Sequence, residues 1–103
     1  MSGKHPAYTV RARAQVYAFM QTLGLEDARK LKRAIKGLAD GRGNIHALSE
    51  PLDGFYRLRQ GGYRVVFWYR SGKIIECVFA ERRSVIYELL QGEILARLRT
   101  GET

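Results

Sequence analysis

The side chains of this sequence best suited to chemistry are Arg57, Arg59, Arg64, Glu81, Arg82, Arg83 and Tyr87. A guanidinium donates hydrogen bonds in a fixed fork and stays charged at any working pH, which suits it to grip phosphate. Cutting RNA without a metal makes three demands. The ribose 2′-hydroxyl must lose its proton, the phosphorane must have its extra negative charge neutralised, and the departing 5′-oxygen must gain a proton. Arginine meets the second demand. The proton transfers need a carboxylate, histidine or tyrosine within reach, and Glu81 or Tyr87, flanking Arg82 and Arg83, could serve. The sequence leaves open which of the two is the general base. No metal or other cofactor is expected, because His5 and His46 stand apart and no Cys, His or carboxylate cluster has ligand spacing. The single Cys77 reads as a small buried hydrophobe on a strand.

The elements that must position these residues follow from periodicity. Tyr8–Arg13 alternates as a first strand, and residues 1–7 form a loose tail. Val16, Phe19, Met20 and Leu23 recur at helical spacing and end at Gly24; Leu31, Ile35 and Leu38 give a second stripe that ends at Gly41. Residues 14–40 are therefore a helical hairpin, and Asn44–Asp53 is a loop. Strands follow at about 55–60, 63–70 and 73–80, and a final helix at about 84–98. If Gly61-Gly62 is a two-residue turn, Arg59 lies opposite Arg64 and Arg57 opposite Val66 on the same face. A second tight turn at Ser71-Gly72 would add Ile75, Cys77, Phe79 and Glu81 to that face. The other face, with Tyr56, Leu58, Tyr63, Val65, Phe67, Tyr69, Ile74 and Val78, would be the floor for the hairpin. Trp68 reads as core. The fold class is α+β: one domain over 1–103, with an antiparallel sheet of about four strands, the hairpin on one face and a short terminal helix.

Charge points the same way. Lysine and arginine total 18 against 10 acids, a net charge of +8. The excess is concentrated in residues 1–25 and 54–75, neither of which contains an acid, whereas 26–53 and 76–103 are nearly balanced. A surplus gathered in this way favours a polyanionic partner, nucleic acid rather than a membrane surface. No apolar run approaches the roughly 20 residues of a membrane span, and no leader pattern opens the chain, so cytoplasmic residence is expected.

The strings GFYRLRQGGYRVVFWY and ERRSVIYE, with a helical hairpin before a three-strand meander, resemble the RelE/ParE superfamily of bacterial toxins, nearer the RelE branch. The resemblance covers most of residues 8–98. It implies a metal-independent endoribonuclease that enters the ribosomal A site and cuts mRNA, leaving a 2′,3′-cyclic or 3′-phosphate and a 5′-hydroxyl. Arg57 and Arg59 then match the family's basic strand pair and Arg64 the arginine that opens the next strand. Arg83 matches the arginine before the terminal helix, and Tyr87 the tyrosine that activates the 2′-hydroxyl or stacks on a base. The chain departs from the pattern at Glu81-Arg82, where some members carry a basic residue or histidine. The resemblance also implies a cognate antitoxin, acidic and partly disordered. The expected contact is an apolar patch of Val66, Trp68, Ile75, Cys77 and Phe79, or else the terminal helix. Two other readings share the scaffold: a ParE-like inhibitor of DNA gyrase, and a noncatalytic module that binds RNA or the ribosome.

Overall fold

The computed structural model describes residues 7–50 and 52–84. The expected helix over 84–98, with Tyr87 on it, lies outside the described residues from 85 onward.

Strand β1 (Thr9–Ala12) leads into helices α1 (Ala14–Gln21) and α2 (Leu25–Gly37) and a 3-10 turn, Leu38–Asp40. Strands β2 (Asn44–Ala47), β3 (Phe55–Gln60), β4 (Tyr63–Arg70) and β5 (Ile74–Arg82) follow. Helix α2 forms where the sequence favours it. Glu26 and Asp27 sit in its first turn and Lys36 in its last, in accord with the helix dipole, and Leu31 and Ile35 face inward. The 3-10 turn closes on Gly41, left-handed at φ 72°.

The five strands form one sheet in the order β1-β5-β4-β3-β2. Strand β1 runs parallel to β5, and the other pairings are antiparallel. The sheet is thus larger and more mixed than the four antiparallel strands expected. The added strand, β2, comes from the segment read as a loop. It is four residues long, at an edge, and only Ile45 is half-buried, so it lacks the apolar alternation that marks a strand. At the opposite edge the Gln15 amide extends the sheet: its Nε2 donates to the Ala80 carbonyl (2.7 Å) and its Oε1 accepts from the Ala80 N–H (2.8 Å). This satisfies backbone groups that β1 is too short to reach.

One face of the sheet carries the main core. Val16, Phe19, Leu31, Ile35 and Leu38 pack onto Leu58, Val65, Phe67, Ile75, Cys77 and Ala80. Burying a side chain of this size contributes roughly 1.5–3 kcal/mol. The opposite face has a smaller cluster, Phe55, Val66, Val78 and Phe79, with Leu48, Leu52 and Trp68 against it. Trp68 stacks on Phe55 at 4.8 Å, a core role as expected.

The β3–β4 register is the one read from Gly61-Gly62, with Gln60 opposite Tyr63 and Arg59 opposite Arg64. The β4–β5 register differs. Lys73 adopts φ 57° after Gly72 at φ 84°, so the connection has three residues and Arg70 pairs with Ile74. Ile75 and Cys77 consequently join the helix-side core. Val78 goes to the opposite cluster, and Ile74, the residue facing Arg70, lies on that same face. A bulge between Val66 and Phe67 then shifts the pairing by one more residue, which returns Phe79 and Glu81 to the arginine face.

The apolar patch expected to receive an antitoxin is not an exposed surface. Val66 and Cys77 are fully buried, Ile75 and Phe79 nearly so, and Ile75 and Cys77 face the helices. The exposed large apolar side chains among the described residues are Tyr17, Leu25 and Tyr69.

Candidate nucleic-acid interface

Registry assembles the candidate site in two rows across the face opposite the helices. One row runs Asn44, Arg59, Arg64, Glu81, and the next runs His46, Arg57, Val66, Phe79. Residues directly opposite one another on neighbouring strands share a face. Arg57, Arg59, Arg64 and Glu81 are therefore brought together. His46 joins them, a residue the sequence reading left in a loop. Its signal was the short alternation Asn44-Ile45-His46, in which the middle residue points to the core side.

The three arginines differ in setting. Arg59 is exposed and Arg57 half-buried. Arg64 is only 4% exposed. Its Nη1 donates to the carbonyls of Gly61 and Tyr63, both at 2.9 Å, so the guanidinium clasps the turn that sets the register. Its Nε is buried without a hydrogen-bond partner. A buried orphan donor costs about 1–3 kcal/mol, so the turn holds this group against a penalty. Among the described residues no ion pair involves Arg59, Arg64 or Glu81. Glu81 instead accepts from the Arg82 N–H at 2.9 Å.

Arg70, a cation of the acid-free stretch 54–75, finds its countercharge outside that stretch. The shifted β4–β5 register places Glu76 opposite Trp68, on the same face as Arg70. Glu76 accepts from Arg70 Nη1 (2.8 Å), Trp68 Nε1 (2.7 Å) and Arg13 Nε (3.0 Å). Desolvation alone would raise its carboxyl, but hydrogen bonds from Arg13, Trp68 and Arg70 outweigh it and hold the group at about 2. This cluster closes the far end of the face and leaves the cationic character to Arg57, Arg59 and Arg64.

Arg82 and Arg83 go elsewhere. Tyr63 pairs with Arg82, so Arg82 lies on the helix side, its guanidinium 5.8 Å from the Tyr63 ring. The Tyr63 hydroxyl donates to Asp27 at 2.7 Å, and that bond pushes the phenol above its ordinary range. The Arg83 N–H donates to the Gly62 carbonyl at 2.8 Å, which pins the end of β5 to the β3–β4 turn, and its side chain is exposed. Tyr87 lies outside the described residues. Burial pushes the Cys77 thiol up to about 12, so it remains an uncharged core group.

No protein-family model matches the sequence, and no curated protein does. Solved structures do. The RelBE2 toxin–antitoxin complex of Mycobacterium tuberculosis matches with a TM-score of 0.65 at 18% identity, over 75% of this chain and 99% of that one. The RelE–RelB complex of Pyrococcus horikoshii gives 0.60 at 24% identity, over 75% and 96%. A mutant of the E. coli toxin RelE in its free state gives 0.63 at 15% identity, over 94% and 99%. With the helical hairpin on one face of a mixed five-stranded sheet, this chain has the RelE fold.

Proposed function

We propose that this chain is the toxin of a type II toxin–antitoxin pair, a metal-independent endoribonuclease that cuts mRNA in the ribosomal A site. The observation that carries this reading is the cross-strand row in which Arg59 and Arg64 face each other with no acid between them, continued by Glu81. Like charges directly opposed cost a sheet stability, and an anionic ligand offsets that cost. Arg57 and Arg59 hold the backbone phosphates, and Arg64 adds its charge from beneath them. The fold shared with RelBE complexes supports an acidic antitoxin as partner.

Strand spacing bears on the proton carriers. Neighbouring strands lie about 4.8 Å apart. His46 is one such gap from Arg57, whereas Glu81 is one gap from Arg64 and roughly 10 Å, two gaps, from Arg59. A phosphate seated on Arg57 and Arg59 would thus have His46 as the nearer proton carrier, and one seated nearer Arg64 would have Glu81, with Tyr87 the further candidate from the sequence. Separate His46→Gln and Glu81→Gln variants distinguish the seats. The variant that removes the working carrier should slow cleavage on the order of 10²–10⁴-fold, and the other should change it little.

The function itself is tested by adding the protein to a translating extract and mapping message ends. Cuts that depend on ribosomes and leave a 5′-hydroxyl and a 2′,3′-cyclic or 3′-phosphate are expected. Arrested synthesis with intact message would replace the nuclease by a binding module, and inhibition of gyrase supercoiling alone would favour the ParE-like reading.

A further inference from the structure

A second cationic surface lies on the helix side of the β3–β4 turn. Two cavities meet there, sharing Lys30 and Gln60. One, of about 480 Å³, is lined by Asp27, Arg82 and Arg83 among others. The other, of about 320 Å³, reaches Arg33 and Arg42. The net charge of residues 26–53 hides this surface, where cations outnumber the one acid among the described lining residues, Asp27. Asp27 is occupied by the Tyr63 hydroxyl, Glu26 lies 3.7 Å from Lys30, and Asp40 pairs with Arg42 at 3.3 Å. The last two pairs are exposed and hold their cations only weakly.

Local structure explains how the cations come together. Lys30 and Arg33 are three residues apart on α2 and share a face. Gly41, at φ 72°, then reverses the chain, and the Arg42 N–H donates back to the Gly37 carbonyl at 3.0 Å. Gly43 follows at φ 121°, where a Cβ would stand 2.8 Å from Leu58 Cδ1, so the chain can lie this close to the sheet only with glycine there. Arg82 and Arg83 enter from the end of β5.

We infer that this groove binds a nucleic-acid phosphodiester backbone, as a track separate from the Arg57–Arg59–Arg64 face. Lining chemistry selects this occupant over an acidic protein segment. Among the described residues, no apolar side chain apart from the Tyr63 ring and Ala34 lines either cavity. A protein segment that orders on binding needs apolar anchors to offset its lost entropy. A phosphodiester backbone needs only spaced cations. Contacts to phosphate carry no sequence information, so binding through these cations is expected to be indifferent to sequence.

The test uses two probes that cannot be cleaved through a 2′-hydroxyl: a 20-nucleotide 2′-O-methyl RNA and the matching single-stranded DNA. Fluorescence anisotropy across a salt series gives the log–log slope, about −0.7 per phosphate neutralised. The triple variant Lys30→Ala/Arg33→Ala/Arg42→Ala should lose about 2 from that slope for both probes, three times the per-phosphate figure. A charge-matched control, Arg29→Ala/Lys32→Ala/Lys36→Ala, removes three exposed α2 cations that line neither cavity and should leave the slope near its original value. Equal slopes for the two triple variants would overturn the inference. So would a polyglutamate peptide that binds the wild type more tightly than either oligonucleotide and loses that binding in the first variant. Neither probe is a substrate, so the result is independent of whether the protein cuts RNA.

Discussion

Arg64→Ala is expected to slow message cleavage by about 10²–10³-fold, the usual cost of removing one preorganised donor from a site of developing negative charge. It is also expected to lower stability, by roughly 2 kcal/mol, because two turn carbonyls lose their donor. The two effects have separate causes, so they need separate readouts. Unfolding in urea gives the stability term. Cleavage in a translating extract, under conditions where the variant is folded, gives the other. Arg64→Lys keeps the charge but replaces the rigid guanidinium, whose Nη1 reaches both Gly61 and Tyr63, with a flexible ammonium. It should recover part of the stability and a larger part of the rate if charge is what the site requires. A variant that is less stable yet cuts at the wild-type rate would reduce Arg64 to a brace and leave Arg57 and Arg59 as the phosphate ligands.

Glu76→Ala should destabilise the fold by about 3 kcal/mol, since the Trp68 indole N–H loses its acceptor and Arg13 and Arg70 lose the carboxylate they donate to. Arg13 is well sheltered, its side chain only 10% exposed, which is why the loss is larger than for a surface pair. The pH dependence has a definite sign. The folded carboxyl sits at about 2, below its ordinary 4.5. The stabilisation is therefore complete above about pH 4.5 and is lost as pH falls through 2, because the unfolded chain takes up the proton first. Glu76→Gln should lack this component. Its unfolding free energy, measured from pH 6 down to pH 2, should fall less steeply than that of the wild type. Parallel curves for the two proteins would show that the carboxylate contributes nothing as a charge.

Much of this arrangement was legible in the residues. Gly61-Gly62 leaves little freedom in how β3 meets β4, and the opposition of Arg59 and Arg64 follows from that turn. The β4–β5 register was not legible, because Lys73 takes a left-handed conformation that its side chain does not advertise. The bulge after Val66 then undid half of the resulting error, so Glu81 was placed on the correct face while Ile75 and Cys77 were not. His46 escaped notice because an exposed edge strand of four residues has no apolar periodicity. The countercharge of Arg70 was missed for a related reason: Glu76 reaches that face only through the shifted register. The cations of α2 were visible one by one, but only folding shows that Lys30 and Arg33 meet Arg42, Arg82 and Arg83 along one groove.

The parallel pairing of β1 with β5 also bears on how the protein is made. Arg13 and Glu76, which tie these strands together, are 63 positions apart. Contacts of such separation form late, after the local hairpins have already closed their loops. Synthesis from the N-terminus therefore leaves β1 waiting for its partner strand until nearly the whole meander has left the exit tunnel. An incomplete nascent chain cannot assemble the finished sheet, so no activity that depends on the fold can arise before β5 has been made.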